Sequence, residues 1–161
     1  MQHEIVLKLL FYTAVRVSEL VHIEVGDVDL EACKTFINRG KGAKDRYILF
    51  PASFRLVLKS HLHAAPRNQY LFKTRRFEPF TTRRIQQSIQ GYREMAGMTQ
   101  PLHSHLFRHQ MLTYLTAKGL TDAQIQLISA HESKKRLEVY QHLSLESVDT
   151  AYQDAVQSVG I

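Results

Sequence analysis

Four places in this chain carry residue types able to do chemistry. The densest is His103, His105, Arg108 and His109: the i, i+3 and i+4 spacings of Arg108 and His109 from His105 put the three side chains on neighbouring parts of one helix surface. That group can form a site, or His109 and Phe107 can pack inward while the rest stay solvated. His105 and His109 also have the spacing of a zinc pair. However, His-Leu-Phe-Arg-His lacks the glutamate of a metalloprotease helix, and Arg108 would repel a divalent cation. His131 and Tyr140 stand with Lys134, Lys135 and Arg136 between them. An activated tyrosine is a nucleophile, but Leu137 and Tyr140 also make an ordinary apolar helix pair.

Arg16 interrupts the apolar junction Thr13 to Leu20, where an unpaired buried charge would be expensive. It needs a partner, either Glu19 in a structural salt bridge or an anionic ligand in a cleft. Lys41 lies between Gly40 and Gly42, whose bare backbone can approach a ligand closely or adopt positive φ. This reads as a phosphate-facing loop or as a solvated basic turn. It is not a nucleotide-binding P-loop, because the Gly-Lys pair lacks the following Ser/Thr and the preceding spaced glycine.

The elements that must position these residues are mostly helical. Apolar residues from Ile5 to Ala14 recur at helical spacing and predict a buried helix over 3–15, followed by a short helical segment to about Ile23 that Gly26 ends. Lys34 to Asn38 and Arg46 to Phe50 are β-prone runs flanking a glycine-containing basic loop, which predicts a hairpin. Pro51 opens a helix to about His63, and an irregular stretch through Pro66, Phe72 and Pro79 leads to a helix over 82–96. Further helices are expected at 104–118, 122–130, 134–142 and 145–157, with Gly119 closing the first and Thr121 or Asp122 capping the second. The fold class is therefore mainly α with a small antiparallel β-hairpin or sheet (α+β).

With 161 residues, 44% of them hydrophobic, the chain is long enough to bury one core, so a single domain over 1–161 is expected. Lys and Arg number 21 against 15 acidic residues, and this excess of positive charge points to an anionic partner, nucleic acid first. Cys33 is the only cysteine, which excludes an internal disulfide framework or a cysteine zinc cluster and suits a reducing cytoplasm. No apolar run reaches the roughly 18 residues of a membrane span, and no signal peptide is present, so no membrane association is expected.

Taken together, the segments resemble the tyrosine recombinase (phage-type integrase) family, in order and with similar spacing over nearly the whole chain. Thr13 to Leu20 resembles the family's first-arginine motif T-G-L-R-x-S-E-L, giving Arg16 the arginine role and Glu19 a supporting one, with Ala14 where glycine is usual. Gly40-Lys41-Gly42 followed by Lys44 and Arg46 resembles the hairpin of the catalytic lysine, placed on Lys41. His105-Leu106-Phe107-Arg108-His109 resembles the H-x-L-R-H motif, with Phe107 in place of leucine. Ala130-His131 corresponds to the Gly-His box, and Tyr140 followed by His142 falls where the nucleophile is expected. The departures change no reactive group.

The resemblance implies the catalytic-domain fold of that family and DNA strand cleavage and rejoining without metal or cofactor. Arg16 and Arg108 present paired donors to the nonbridging phosphate oxygens, where charge accumulates in the transition state. Tyr140, with an unperturbed pKa near 10, needs a base, and His105 is the candidate. Attack gives a 3′-phosphotyrosine and expels a 5′-hydroxyl, to which Lys41 donates a proton, while His131 hydrogen-bonds the phosphate. Arg39, Lys44, Arg46, Lys73, Arg75, Arg76, Arg83 and Arg84 are candidate contacts to the phosphates of double-stranded DNA.

By the same resemblance, residues 145–157 form a C-terminal helix that docks on a neighbouring protomer on DNA. The family also carries an upstream core-binding domain for which this chain has no room, so a catalytic domain cut from a larger protein is expected. Two other readings compete: a type IB topoisomerase, whose constellation is similar but whose hairpin and helix motifs match less well, and a catalytically idle DNA-binding remnant.

Overall fold

The computed structural model describes residues 2–38, 45–129 and 145–159. Helix α1 (Gln2–Thr13) buries Ile5, Val6, Leu9, Leu10 and Tyr12. It stops short of the predicted end because Ala14 takes a left-handed φ of 52°. The Thr13 hydroxyl donates to the Leu9 carbonyl at 2.7 Å and accepts the Val15 N–H at 3.3 Å, closing the helix end. The chain then turns into α2 (Val17–Leu20), shorter than expected, and a 3₁₀ turn at Val25–Asp27.

The φ of Ala14 fits the glycine that the resembled motif has at this place: an L-residue in the left-handed region costs about 1–2 kcal/mol. Alanine tolerates it, but a β-branched side chain does not. Ala14→Val is therefore expected to destabilise the fold by about 2–3 kcal/mol, while Ala14→Gly stays within about 1 kcal/mol of the parent. Urea denaturation of both variants measures this difference.

The predicted hairpin forms from β2 (Lys34–Ile37) and β3 (Arg46–Leu49), with Thr35 opposite Ile48 and Ile37 opposite Arg46. A strand not foreseen, β1 (Val28–Asp29), adds an antiparallel edge and gives the sheet order β1-β2-β3. Two residues are too few to show strand alternation in sequence. A second 3₁₀ turn at Ala52–Phe54 runs into α3 (Arg55–His63). Helices α4 (Thr82–Met95), α5 (Ser104–Ala117) and α6 (Asp122–Ser129) match expectation to within about a residue. Gly119 takes φ 93° after α5, and the Thr121 hydroxyl accepts the Gln124 N–H at 3.2 Å to cap α6. The expected helix over 134–142 lies outside the described residues.

Helix α5 packs along α1, α4 rests on α1 and α2, and α6 touches α5, β3 and the last helix, α7 (Leu145–Val156). Val148, Tyr152, Ala155 and Val156 bury the apolar side of α7 in the chain's own core. The Gln153 side-chain amide donates to the Phe50 carbonyl and accepts the Ala52 N–H, both at 3.0 Å. Among the described residues no helix is long and apolar enough to cross a membrane.

The Tyr152 phenol, fully buried, donates to the Tyr12 carbonyl at 2.7 Å, pinning α7 to the end of α1 beside Ala14. Burial pushes this phenol well above its ordinary pKa. Tyr152→Phe should cost about 1 kcal/mol by removing this buried hydrogen bond. The sign of its pH dependence follows from linkage: below about 10 both states are protonated, and above it only the unfolded phenol ionises. Parent stability thus falls as pH climbs from about 10 toward the raised folded value, and the Phe variant lacks that part of the slope. Denaturation at neutral and alkaline pH tests both effects.

Candidate active site

The turn at Ala14 places Arg16 at the start of α2 with extended φ/ψ of −73° and 144°. Its carbonyl accepts the Glu19 and Leu20 N–H groups at 3.0 Å, and its own N–H donates to Glu19 Oε2 at 3.1 Å. The glutamate at the third helical position thus reaches back to the cap. Glu19 Oε1 also accepts from Arg16 Nη1 at 3.4 Å. Both readings of Arg16 made from sequence therefore have a place: its guanidinium touches Glu19, yet the side chain keeps 37% exposure, open to an anion from outside.

Arg108, in contrast, is only 7% exposed. Its Nη1 donates to the Ala14 carbonyl and its Nη2 to the Ser129 carbonyl, the latter at 2.6 Å. One guanidinium thus joins α5 to the backbone two residues before Arg16 and to the end of α6, two residues before His131. A planar fork of five donors suits this bridging, and a single ammonium could not span both carbonyls. His105 lies one turn earlier on α5 and is exposed, with its ring 6.3 Å edge-on from that of His103. His109 is exposed and Phe107 half-buried, so of the inward-packing pair considered from sequence only Phe107 turns toward the core.

Arg46 departs from its sequence reading as a phosphate contact. Its side chain is 9% exposed and its Nη2 donates to Glu19 Oε2 at 3.0 Å, so it faces inward across the sheet edge. The strand's period of two was the available signal: Arg46 and fully buried Ile48 share a face, while Tyr47 points out. Arg39, Lys41, Lys44, His131 and Tyr140 lie outside the described residues.

The other basic residues do reach solvent. Arg75, Arg76, Arg83 and Arg84 are exposed and Lys73 is half-buried. The loop between Lys73 and Pro79 carries Phe77 at φ 66° and 65% exposure, with Lys73 Nζ 3.6 Å from its ring centroid. Arg83 and Arg84 open α4 behind the Thr81 cap, whose hydroxyl accepts the Arg84 N–H at 3.1 Å. Cations oppose the dipole at a helix N-terminus by about 0.3–1 kcal/mol each, so stability alone would favour acids there. A basic first turn beside a basic loop makes a surface suited to phosphates.

A family model described as the phage integrase family matches residues 1–147. The tyrosine recombinase XerC of Bacillus subtilis is 31% identical over 161 aligned positions, covering 94% of this chain and 53% of that protein. A XerC 2 recombinase of Ralstonia nicotianae is also 31% identical, covering 87% of this chain and 42% of that one. The chain thus spans about half the length of the curated relatives it matches.

Among solved structures, the XerA recombinase superposes with a TM-score of 0.72 at 30% identity, over 96% of this chain and 56% of that chain. The integrase from mycobacterium phage Brujita gives 0.75 at 17% identity, over 94% and 50%, a likeness of fold. The mostly helical architecture with its small antiparallel sheet is the one these recombinases share. With a family model spanning nearly all of its length, this chain belongs to the phage integrase family of tyrosine recombinases.

Proposed function

We propose that this chain is the catalytic domain of a site-specific DNA recombinase that cuts and rejoins strands through a 3′-phosphotyrosine on Tyr140. The observation that carries this reading is the Arg108 bridge, which ties the Arg16 turn and the approach to His131 to the helix of His105. The bridge supports this reading by linking the helix that carries His105 and Arg108 to the turn that carries Arg16. Arg16 and Arg108 neutralise the nonbridging oxygens. The Tyr140 oxygen forms the new bond to phosphorus as its proton passes to His105, the bond to the 5′ oxygen breaks, and Lys41 protonates that leaving oxygen. His131 hydrogen-bonds the phosphate. The reverse reaction rejoins the strand without ATP, since the phosphotyrosine keeps the ester energy.

Double-stranded DNA is the proposed partner. The XerH recombinase, 23% identical, was solved bound to its difH substrate, and the Tn1549 integrase in complex with circular intermediate DNA. The exposed arginines here supply matching charge. Replacing Arg75, Arg76, Arg83 and Arg84 together by glutamine should flatten the dependence of log affinity on log salt by about 0.9 for each phosphate that is no longer neutralised. An unchanged slope in a salt titration would remove them from the interface. Self-association on DNA belongs to the proposal too, with one structural condition: the apolar side of α7 is seated in cis, so docking on a neighbour through that side requires it to leave its own core. The working compartment is the cytoplasm, at the DNA.

The test is incubation with a pool of nicked duplexes, whose short cleaved strand diffuses away, in the presence of a metal chelator. A denaturant-resistant protein–DNA adduct is the expected result. Salt-sensitive binding without any adduct would favour an idle DNA-binding module.

A further inference from the structure

Glu19 is shared. Its carboxylate receives the Arg16 backbone and guanidinium on one side and the Arg46 guanidinium on the other, at 3.1, 3.4 and 3.0 Å. Arg46 and Glu19 are nearly closed off from water, at 9% and 11% exposure, whereas Arg16 is open. The arrangement is graded: an inner cation, a buried anion, then an outer cation facing solvent. It also joins distant parts of the chain, since Arg46 stands on β3, the strand that follows the Lys41 loop, and Glu19 on α2.

From this geometry we infer that Arg46 is a positioning residue for the phosphate chemistry, acting on Arg16 through Glu19 rather than on DNA. The inference rests on the reading of Arg16 as a phosphate clamp. A buried carboxylate needs compensation, and two cations share that task here. Without Arg46, the Glu19 carboxylate draws the Arg16 guanidinium further onto itself, down from the open side. The phosphate then loses a donor aimed at its developing charge, although Arg16 is still present. Arg46 also keeps Glu19 oriented toward the α2 cap, so the Arg16 backbone and side chain are held by one acid whose own position is fixed from behind.

The reading predicts a chemical signature that a merely structural role would not give. A methylphosphonate at the scissile position is neutral, so attack on it develops less charge for Arg16 to stabilise. Arg46→Met should slow adduct formation on the native phosphate by about 10- to 100-fold, the scale of a misplaced catalytic donor. On the methylphosphonate it should fall within about threefold of the parent, tracking Arg16→Ala measured in parallel. Arg46→Lys, which can still ion-pair with Glu19, should recover most of the native rate, and Glu19→Gln should reproduce the loss without emptying the volume.

All four variants are compared in the intact 161-residue chain, after thermal denaturation identifies those that remain folded. Equal slowing of Arg46→Met and Glu19→Gln on both substrates, or no slowing on either, overturns the inference while leaving the covalent mechanism standing. A parent chain that forms no adduct on any duplex overturns the mechanism and the inference together.

Discussion

Tyr140→Phe is expected to abolish the covalent adduct while leaving DNA affinity within about twofold of the parent. The phenol oxygen is the only part removed, and no other group in the motif set can take its place as nucleophile at that position. Loss of a covalent nucleophile has cost on the order of 10⁶-fold in rate in enzymes where the remaining groups work as a unit. Adduct yields after overnight incubation should therefore drop to background. Chelators should leave the parent unaffected, because the proposed charge stabilisation comes from guanidinium groups and imidazole. A filter-binding series beside the adduct gel separates loss of chemistry from loss of binding.

Arg108→Lys should be nearly as damaging and should show two defects at once. In chemistry, one of the two proposed planar clamps becomes a point charge, and losing such a donor costs about 100- to 1000-fold. In structure, lysine cannot span both the Ala14 and Ser129 carbonyls, and losing one of these two buried bonds to a charged donor costs about 1–3 kcal/mol. The substitution should therefore lower Tm as well as rate. Arg16→Lys should slow the reaction on the same scale with a smaller change in Tm, since Arg16 is open to solvent and touches Glu19 from outside. Thermal scans and adduct kinetics on the two variants distinguish an arginine that also holds the fold from one that serves mainly the phosphate.

Much of this was legible in residue order. The first-arginine turn, the hairpin and the α5 motif were each weak alone, and their order along the chain carried the family. Helix periodicity placed α4 and α5 to within a residue or two because their apolar faces are long enough to repeat. The early end of α1 was hidden because alanine, a strong helix former, occupies a position that demands left-handed backbone. Strand β1 is too short to show alternation.

Arg46 was misplaced for a different reason. Its charge suggested solvent, but its partner is 27 positions away on another element, and side-chain pairs of that separation leave no local pattern. The strand parity with Ile48 was the one clue. The two carbonyls that orient Arg108 were likewise invisible, since backbone acceptors have no residue type. The C-terminal helix was found at its expected position, but its amphipathic pattern is the same whether it docks in cis or on a neighbour. Tyr152 and Gln153, through Tyr12 on α1 and Phe50 just after β3, show where it sits.

The most direct test of the central claim is to isolate the adduct formed on a nicked duplex in chelator, digest it, and locate the cross-link by mass spectrometry. A single modified peptide is expected, with Tyr140 joined to a 3′-phosphate and a free 5′-hydroxyl on the departing strand. A cross-link on another residue, a 5′-phosphate linkage, or strand cleavage that leaves no protein attached would contradict it.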